Sequence, residues 1–180
     1  SEMCIRDRAN VATIKTLPLR LNPGAPNPLE IRGEIFFPWP GFEALNESRI
    51  EAGEPEFANP RNTAAGTLKL QDSAVVATRP LDCMVYNIDA ETMTALGIAS
   101  HSEAVREAAN WGFKTPRGRS LEVVTSVEAI MDAVAHWEEA RHDLDFAIDG
   151  LVIKVNRYDQ QKRLGMTAKS PRWALSLIHI

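Results

Sequence analysis

The chain has 180 residues, 44% of them hydrophobic and 24% charged, with a formal charge of -4. That length allows one well-filled core or a large piece of a bigger domain. No apolar run approaches the ~20 residues that span a bilayer, the N-terminus lacks the order of a secretion signal, and the acid excess excludes a surface that is basic throughout, so a cytoplasmic protein without a membrane partner is expected.

Residues 16–28 carry four prolines and one glycine and read as an irregular stretch. "LEIRGEIFF" then alternates, with Leu29, Ile31, Ile35 and Phe37 on one face beside Gly33 and with Glu30, Arg32, Glu34 and Phe36 on the other, the pattern of a strand with a charged face. Residues 41–52 space Phe42, Leu45 and Arg49 as a short helix stopped by Gly53. In "FANPRNTAAGTLKL", Asn59 stands as an N-cap and Pro60 at the first helical position, with Arg61 next to backbone N–H groups that suit an anion.

"PLDCMVYNID" predicts a second strand, with Cys83 as a small core hydrophobe rather than half of a disulfide with Cys4. A helix is expected over 102–110, closed by Gly112. Thr125 and Glu128 have the spacing of a capping box, opening a longer helix with Val127, Ile130, Val134 and Trp137 on one stripe and an end near His142. Strands and helices mix without regular βαβ alternation, which predicts an α+β architecture with mainly antiparallel sheets.

"FAIDGLVIKVN" poses the central problem, because Asp149 and Lys154 interrupt what otherwise reads as a buried strand. In an uninterrupted strand they point to opposite faces and serve one pocket only if the chain bends at Asp149-Gly150. Lys154 is either a lysine whose stem packs while its head reaches water, or a cation held on a strand to meet a phosphate. Glu34, Arg61 and Arg141 are similarly open between ordinary surface roles and a binding site. Between positions 154 and 172, six bases stand against one acid, a basic segment on an acidic body that suits a phosphate-bearing ligand as well as a solvated face. His101, His136 and His142 have no spacing to one another or to Cys83 that makes a metal site, and no phosphate-loop, GxGxxG or GxSxG motif occurs.

Taken together, "ANVATIKTLPLRL", "LEIRGEIFF", "FANPRNTAAGTLKL", "FAIDGLVIKVN" and "LGMTAKSPRWA" resemble, in order and spacing, the adenylation (nucleotidyltransferase) domain of bacterial NAD-dependent DNA ligases. The resemblance implies a nucleotidyltransferase, ATP-grasp-like ligase fold, truncated at both ends. It also implies a parent enzyme that seals nicks in duplex DNA through a lysyl-AMP intermediate, using NAD and Mg2+. The family's zinc lies outside this segment, and the parent is expected as a monomer acting in DNA replication and repair.

By the same resemblance, Glu34 faces the ribose and metal region, Asp149 is the acid of the aspartate-glycine motif, and Lys154 contacts the bound nucleotide. A transient Mg2+ is expected near Glu34 and Asp149. Arg61 and Arg141 match family arginines around the nucleotide and its phosphates. Lys69 stands where many members have arginine; it keeps the charge of a DNA or phosphate contact but not the two-pronged grip.

The family's lysine-x-aspartate-glycine motif, which carries the nucleophile, does not occur here, and Ile178 stands where another phosphate-contacting lysine is expected. Codons for residues 3–7 and 175–180 overlap as reverse complements and resemble a sequencing-adapter end. Residues 1–8 and 175–180 are therefore expected to be foreign, poorly packed tails around a partial adenylation domain at 9–174, and the piece alone is expected to be inactive. Two other readings are a non-catalytic nucleotide- or nucleic-acid-binding module and a fragment of an ATP-dependent ligase or capping nucleotidyltransferase; "FANPRN" weighs against the last.

Overall fold

The structure, a computed structural model, describes residues 2–178, with side chains from 7 to 177. In chain order the elements are α1 (Glu2–Val11), β1 (Ile31–Phe36), α2 (Trp39–Glu51), α3 (Pro60–Leu68), α4 (Ser73–Thr78) and β2 (Asp82–Ile88), then α5 (Ala90–Ala95), α6 (His101–Asn110), α7 (Val127–Ala140), β3 (Gly150–Lys154), α8 (Tyr158–Leu164) and β4 (Ala174–Ile178). The expected α+β class is found: β1 and β2 make one two-stranded sheet, and β3 and β4 make an antiparallel second. The backbone divides into two compact units, one built from residues up to Leu21, Gly33–Met84 and Asp145–Ala147, the other from Asn22–Arg32, Val85–Leu144 and the chain from Ile148 onward.

In the first unit, Ile14, Phe37, Phe42, Ala64, Val76, Leu81 and Cys83 form the core, with Ile35, Leu45, Phe57 and Leu68 packed against it. Each large side chain so buried contributes roughly 1.5–3 kcal/mol. The alternation of β1 thus delivers Ile35 and Phe37 to the core, while Glu34 stays exposed. Phe37 meets Phe42 edge-on at 6.2 Å, tying the end of β1 to α2. A Cβ on Gly41 would run into the Pro80 ring, so glycine is what lets α2 approach so closely there. Gly53, at φ +73°, ends this helix as its position predicted.

α3 begins as expected: the Asn59 side chain accepts from the Asn62 backbone N–H at 2.8 Å, and Pro60 follows. Asn59→Ala should therefore lower stability by about 1 kcal/mol. Urea unfolding checks it, and an unchanged midpoint would show that the cap bond is not formed in solution. At the other end of α3, buried Asn10 of α1 donates to the carbonyls of Leu68 and Leu70 at 2.9 and 2.8 Å, satisfying acceptors that a helix end leaves open. Cys83 is buried and free, and burial pushes its thiol up to about 11, the behaviour of a core hydrophobe.

The second unit buries Val85, Ile88, Met93, Val105, Trp111 and Phe113. α6 starts one residue earlier than predicted, because Ser100 and Glu103 form a full capping box. Its far end is held by Asn22, whose backbone N–H donates to the Trp111 carbonyl at 3.0 Å and whose amide donates to that of Asn110 at 2.8 Å. For α7 the predicted Thr125–Glu128 box is replaced by a cap one residue later: Ser126 Oγ accepts from the Ala129 N–H at 3.1 Å. Thr125 and Ser126 offer the same chemistry, and the backbone places only the second in register. Val127 consequently falls in the first turn and is 69% exposed, while Ile130, Val134 and Trp137 are half-buried.

β3 begins only at Gly150, so the strand expected from 146 is shorter and Asp149 stands in an irregular lead-in. The terminal segments are more regular than expected of poorly packed tails. Glu2–Val11 is helical, and Ala174–Ile178 pairs along the whole of β3, from Lys154 opposite Ala174 to Gly150 opposite Ile178. Antiparallel pairing asks only for unused backbone groups and an extended partner, which explains why this segment can serve as β4. Asp7, Arg8 and Ala9 are exposed, as is Leu175; residues 1, 179 and 180 lie outside the described residues.

Candidate functional site

Lys154 ends β3, and its neighbourhood is assembled by three elements of the second unit. Two residues beyond Lys154, Asn156 bolts the end of β3 to the start of α6: its carbonyl accepts from the His101 N–H at 2.8 Å and its side-chain oxygen from the Ser102 N–H at 2.9 Å. The Tyr158 N–H donates to the Ala99 carbonyl at 3.0 Å, and the Gln161 amide holds the Val155 carbonyl at 2.7 Å. On this frame the ammonium of Lys154 lies 3.4 Å from His101 Nε2 and 3.5 Å from the Tyr86 carbonyl oxygen, and 5.2 Å from the centroid of the Tyr86 ring.

None of these partners carries a negative charge. A half-buried ammonium without a carboxylate is costly, and burial accordingly lowers the Lys154 pKa to about 8. At neutral pH the group is still mainly charged, so the arrangement holds a cation in want of an anion. His101 is pushed down to about 4, first by burial and then by the Lys154 charge, with the Tyr86 carbonyl opposing. The imidazole is therefore neutral at physiological pH. Tyr86 is 41% exposed, which leaves an aromatic face beside the cation open to solvent.

The other predicted residues are distributed between the units. Glu34 on β1, Arg61 in the first turn of α3 and Lys69 at the C-terminal cap of α3 belong to the first unit, and all three are exposed. Lys69 lines a shallow hollow with Asp7, Val11, Ala65 and Leu68. Arg141, Asp149 and Lys154 belong to the second unit. Arg141 stands at the C-terminal cap position of α7, which packs on β3. Its Nε is nevertheless buried without a hydrogen-bond partner, a feature that helix capping does not explain. Asp149 is exposed immediately before β3.

Sequence reasoning missed His101 and Tyr86. The signal for Tyr86 was an aromatic on the face of β2 opposite that of the buried Val85. For His101 there was only its place directly after a capping serine, which says nothing of Lys154, 53 positions away.

The histidine carries a stability prediction. Its folded pKa, about 4, lies below the ordinary 6.5, so as pH falls the unfolded chain takes up this proton first. The contribution is fully present above pH 6.5 and is lost as pH drops towards 4, by up to about 3 kcal/mol. Urea midpoints at pH 7.5 and 4.5 should differ more in the wild type than in His101→Gln; equal differences would place the imidazole in water.

Among the described residues no group of three or more His, Cys, Asp or Glu side chains stands where it could hold a metal ion. Nor is any helix among the described residues long and apolar enough to cross a membrane.

A cation with only neutral neighbours can pair with an anion such as a phosphate, and the exposed aromatic face beside it can stack on a flat ring. Comparison with known proteins specifies the class. The family model for the NAD-dependent DNA ligase adenylation domain matches residues 7–179, and the chain belongs to that family. It is 48% identical over 167 residues to a DNA ligase of Christiangramia forsetii, and 46% identical over 167 and 169 residues to those of Flavobacterium johnsoniae and Parabacteroides distasonis, with 93% of this chain aligned each time. It spans about a quarter of the length of these curated relatives, 24%, 24% and 25% respectively.

Proposed function

We propose that this chain is the nucleotide-holding part of an NAD-dependent DNA ligase, an enzyme that seals nicks in duplex DNA in the bacterial cytoplasm. The observation that carries the reading is the Lys154 ammonium, half-buried with only neutral partners. In the proposed reaction a lysine attacks the α-phosphate of NAD, nicotinamide mononucleotide leaves, and AMP stays on the lysine as a phosphoramidate. AMP then passes to the 5′-phosphate of the nick, and the neighbouring 3′-hydroxyl displaces it. The chain contains no lysine-x-aspartate-glycine motif, so none of its own lysines would be the nucleophile.

This chain's share is electrostatic placement. Lys154 would neutralise a phosphate oxygen, the exposed Tyr86 ring would offer a flat face to a base, and Arg141 Nε would find in a phosphate the acceptor it lacks. Asp149 would serve ribose hydroxyls; taken by itself, the first unit would offer the Glu34 carboxylate to a ribose and the Arg61 and Lys69 cations to phosphates of nucleotide or DNA. Mg2+ would arrive with those phosphates, which is its usual habit. The underlying fold would be that of nucleotidyltransferases, with β3 as the strand that bears the lysine position and Asp149 immediately before it.

Calorimetric titration with NAD and AMP tests the reading, together with intact mass after incubation with NAD and Mg2+. Binding of either nucleotide without a mass increase is expected. A folded chain that binds neither would sink the nucleotide assignment, and an AMP adduct would show that a lysine within this chain is the nucleophile.

A further inference from the structure

Lys154 has a four-carbon stem with about 2 kcal/mol of rotamer entropy, so something must decide where its head is presented. An ammonium has three donors and no acceptor. One N–H is directed at the Tyr86 carbonyl, 3.5 Å away, and another at His101 Nε2, 3.4 Å away, which leaves the third for a ligand. Nε2 can take part only through its lone pair, which requires a neutral ring with its proton on Nδ1.

We propose that His101 is the positioning residue for Lys154: its neutral imidazole accepts a hydrogen bond from the ammonium and fixes the direction in which the cation meets a nucleotide phosphate. The inference rests on the nucleotide reading above and adds to it a residue that touches no substrate. Its geometry does not depend on side-chain packing alone, because the His101 and Ser102 N–H groups are tied to Asn156, two positions beyond Lys154. The backbone segments that carry the two side chains are therefore hydrogen-bonded together. The direction of the His101 pKa agrees, since a ring that stays neutral well below pH 7 remains an acceptor. Lys154 finds no carboxylate among the described residues that could orient it instead, and burial alone accounts for its lowered pKa.

The test pairs His101→Gln, which keeps an acceptor, with His101→Leu, which keeps bulk but not the acceptor, in the full 180-residue chain. AMP is the titrant, and thermal midpoints are recorded alongside. Glutamine should bind AMP within about threefold of the wild type and leucine about tenfold more weakly, the usual scale for one lost hydrogen bond to a charged group. Equal affinity of the leucine variant and wild type, or equal loss in both variants, would overturn the proposal.

A second readout needs neither nucleotide nor variant. In 15N-histidine-labelled wild type at pH 7, Nε2 of His101 should resonate as an unprotonated nitrogen; a protonated Nε2 would overturn the positioning role even if AMP binds. If AMP fails to bind while Nε2 is unprotonated and hydrogen-bonded, the nucleotide reading fails and the Lys154–His101 pairing stands.

Discussion

Lys154→Ala should weaken AMP binding by about 10- to 100-fold, the range expected when a charge-assisted hydrogen bond to a phosphate is lost. The direction follows from what surrounds the ammonium: an imidazole nitrogen, a carbonyl oxygen and an aromatic ring, none of them anionic. A lysine kept only for the packing of its stem would behave differently, and Lys154→Met separates the two roles by retaining the stem. Methionine should match alanine in affinity. Methionine should fold at least as stably as the wild type, because it removes a half-buried charge whose burial is unfavourable while keeping the stem, and alanine should be the less stable of the two. Titration calorimetry with AMP, run beside urea unfolding, measures both quantities. Affinity unchanged in either variant would mean that Lys154 is a structural residue and that the phosphate is met elsewhere.

Trp111→Ala is the change expected to cost most in stability, about 3–5 kcal/mol. The indole is 2% exposed, directly after α6, and the Trp111 carbonyl receives the Asn22 N–H. Removing the ring leaves a cavity beneath the end of the helix that carries His101 at its start. Against the ~5–15 kcal/mol by which domains are stable, that is a large fraction. AMP affinity should fall as a secondary effect, because α6 and the Asn156 clamp share one folded unit. Urea unfolding gives the number; a loss below about 1 kcal/mol would indicate that the neighbours collapse into the space.

Local chemistry was readable wherever one short stretch supplied both partners. Asn59 and Pro60 open α3 because the cap and its N–H lie three residues apart, and Gly53 ends α2 because that turn needs positive φ. The same reasoning failed by one residue at α7, where Thr125 and Ser126 have equivalent hydroxyls and only the backbone direction distinguishes them. Period-2 alternation identified the core side of β1, and the apolar run around Cys83 marked that residue as buried. Neither revealed that residues 174–178 pair with β3, since strand pairing depends on backbone groups rather than side-chain pattern.

By itself, then, the sequence determined the α+β class, the stop of α2 and the start of α3, the family motifs and the singling out of Lys154 as a charge out of place. Only the tertiary structure decided what that charge touches. His101 lies 53 positions from Lys154 and Tyr86 lies 68, and no propensity or periodicity acts over such separations. They meet because Asn156 fastens the end of β3 to the first turn of α6, and because β2 sets the Tyr86 carbonyl and ring beside them. Residue type creates the need for an anion; the packing of strand against helix determines where that need is presented.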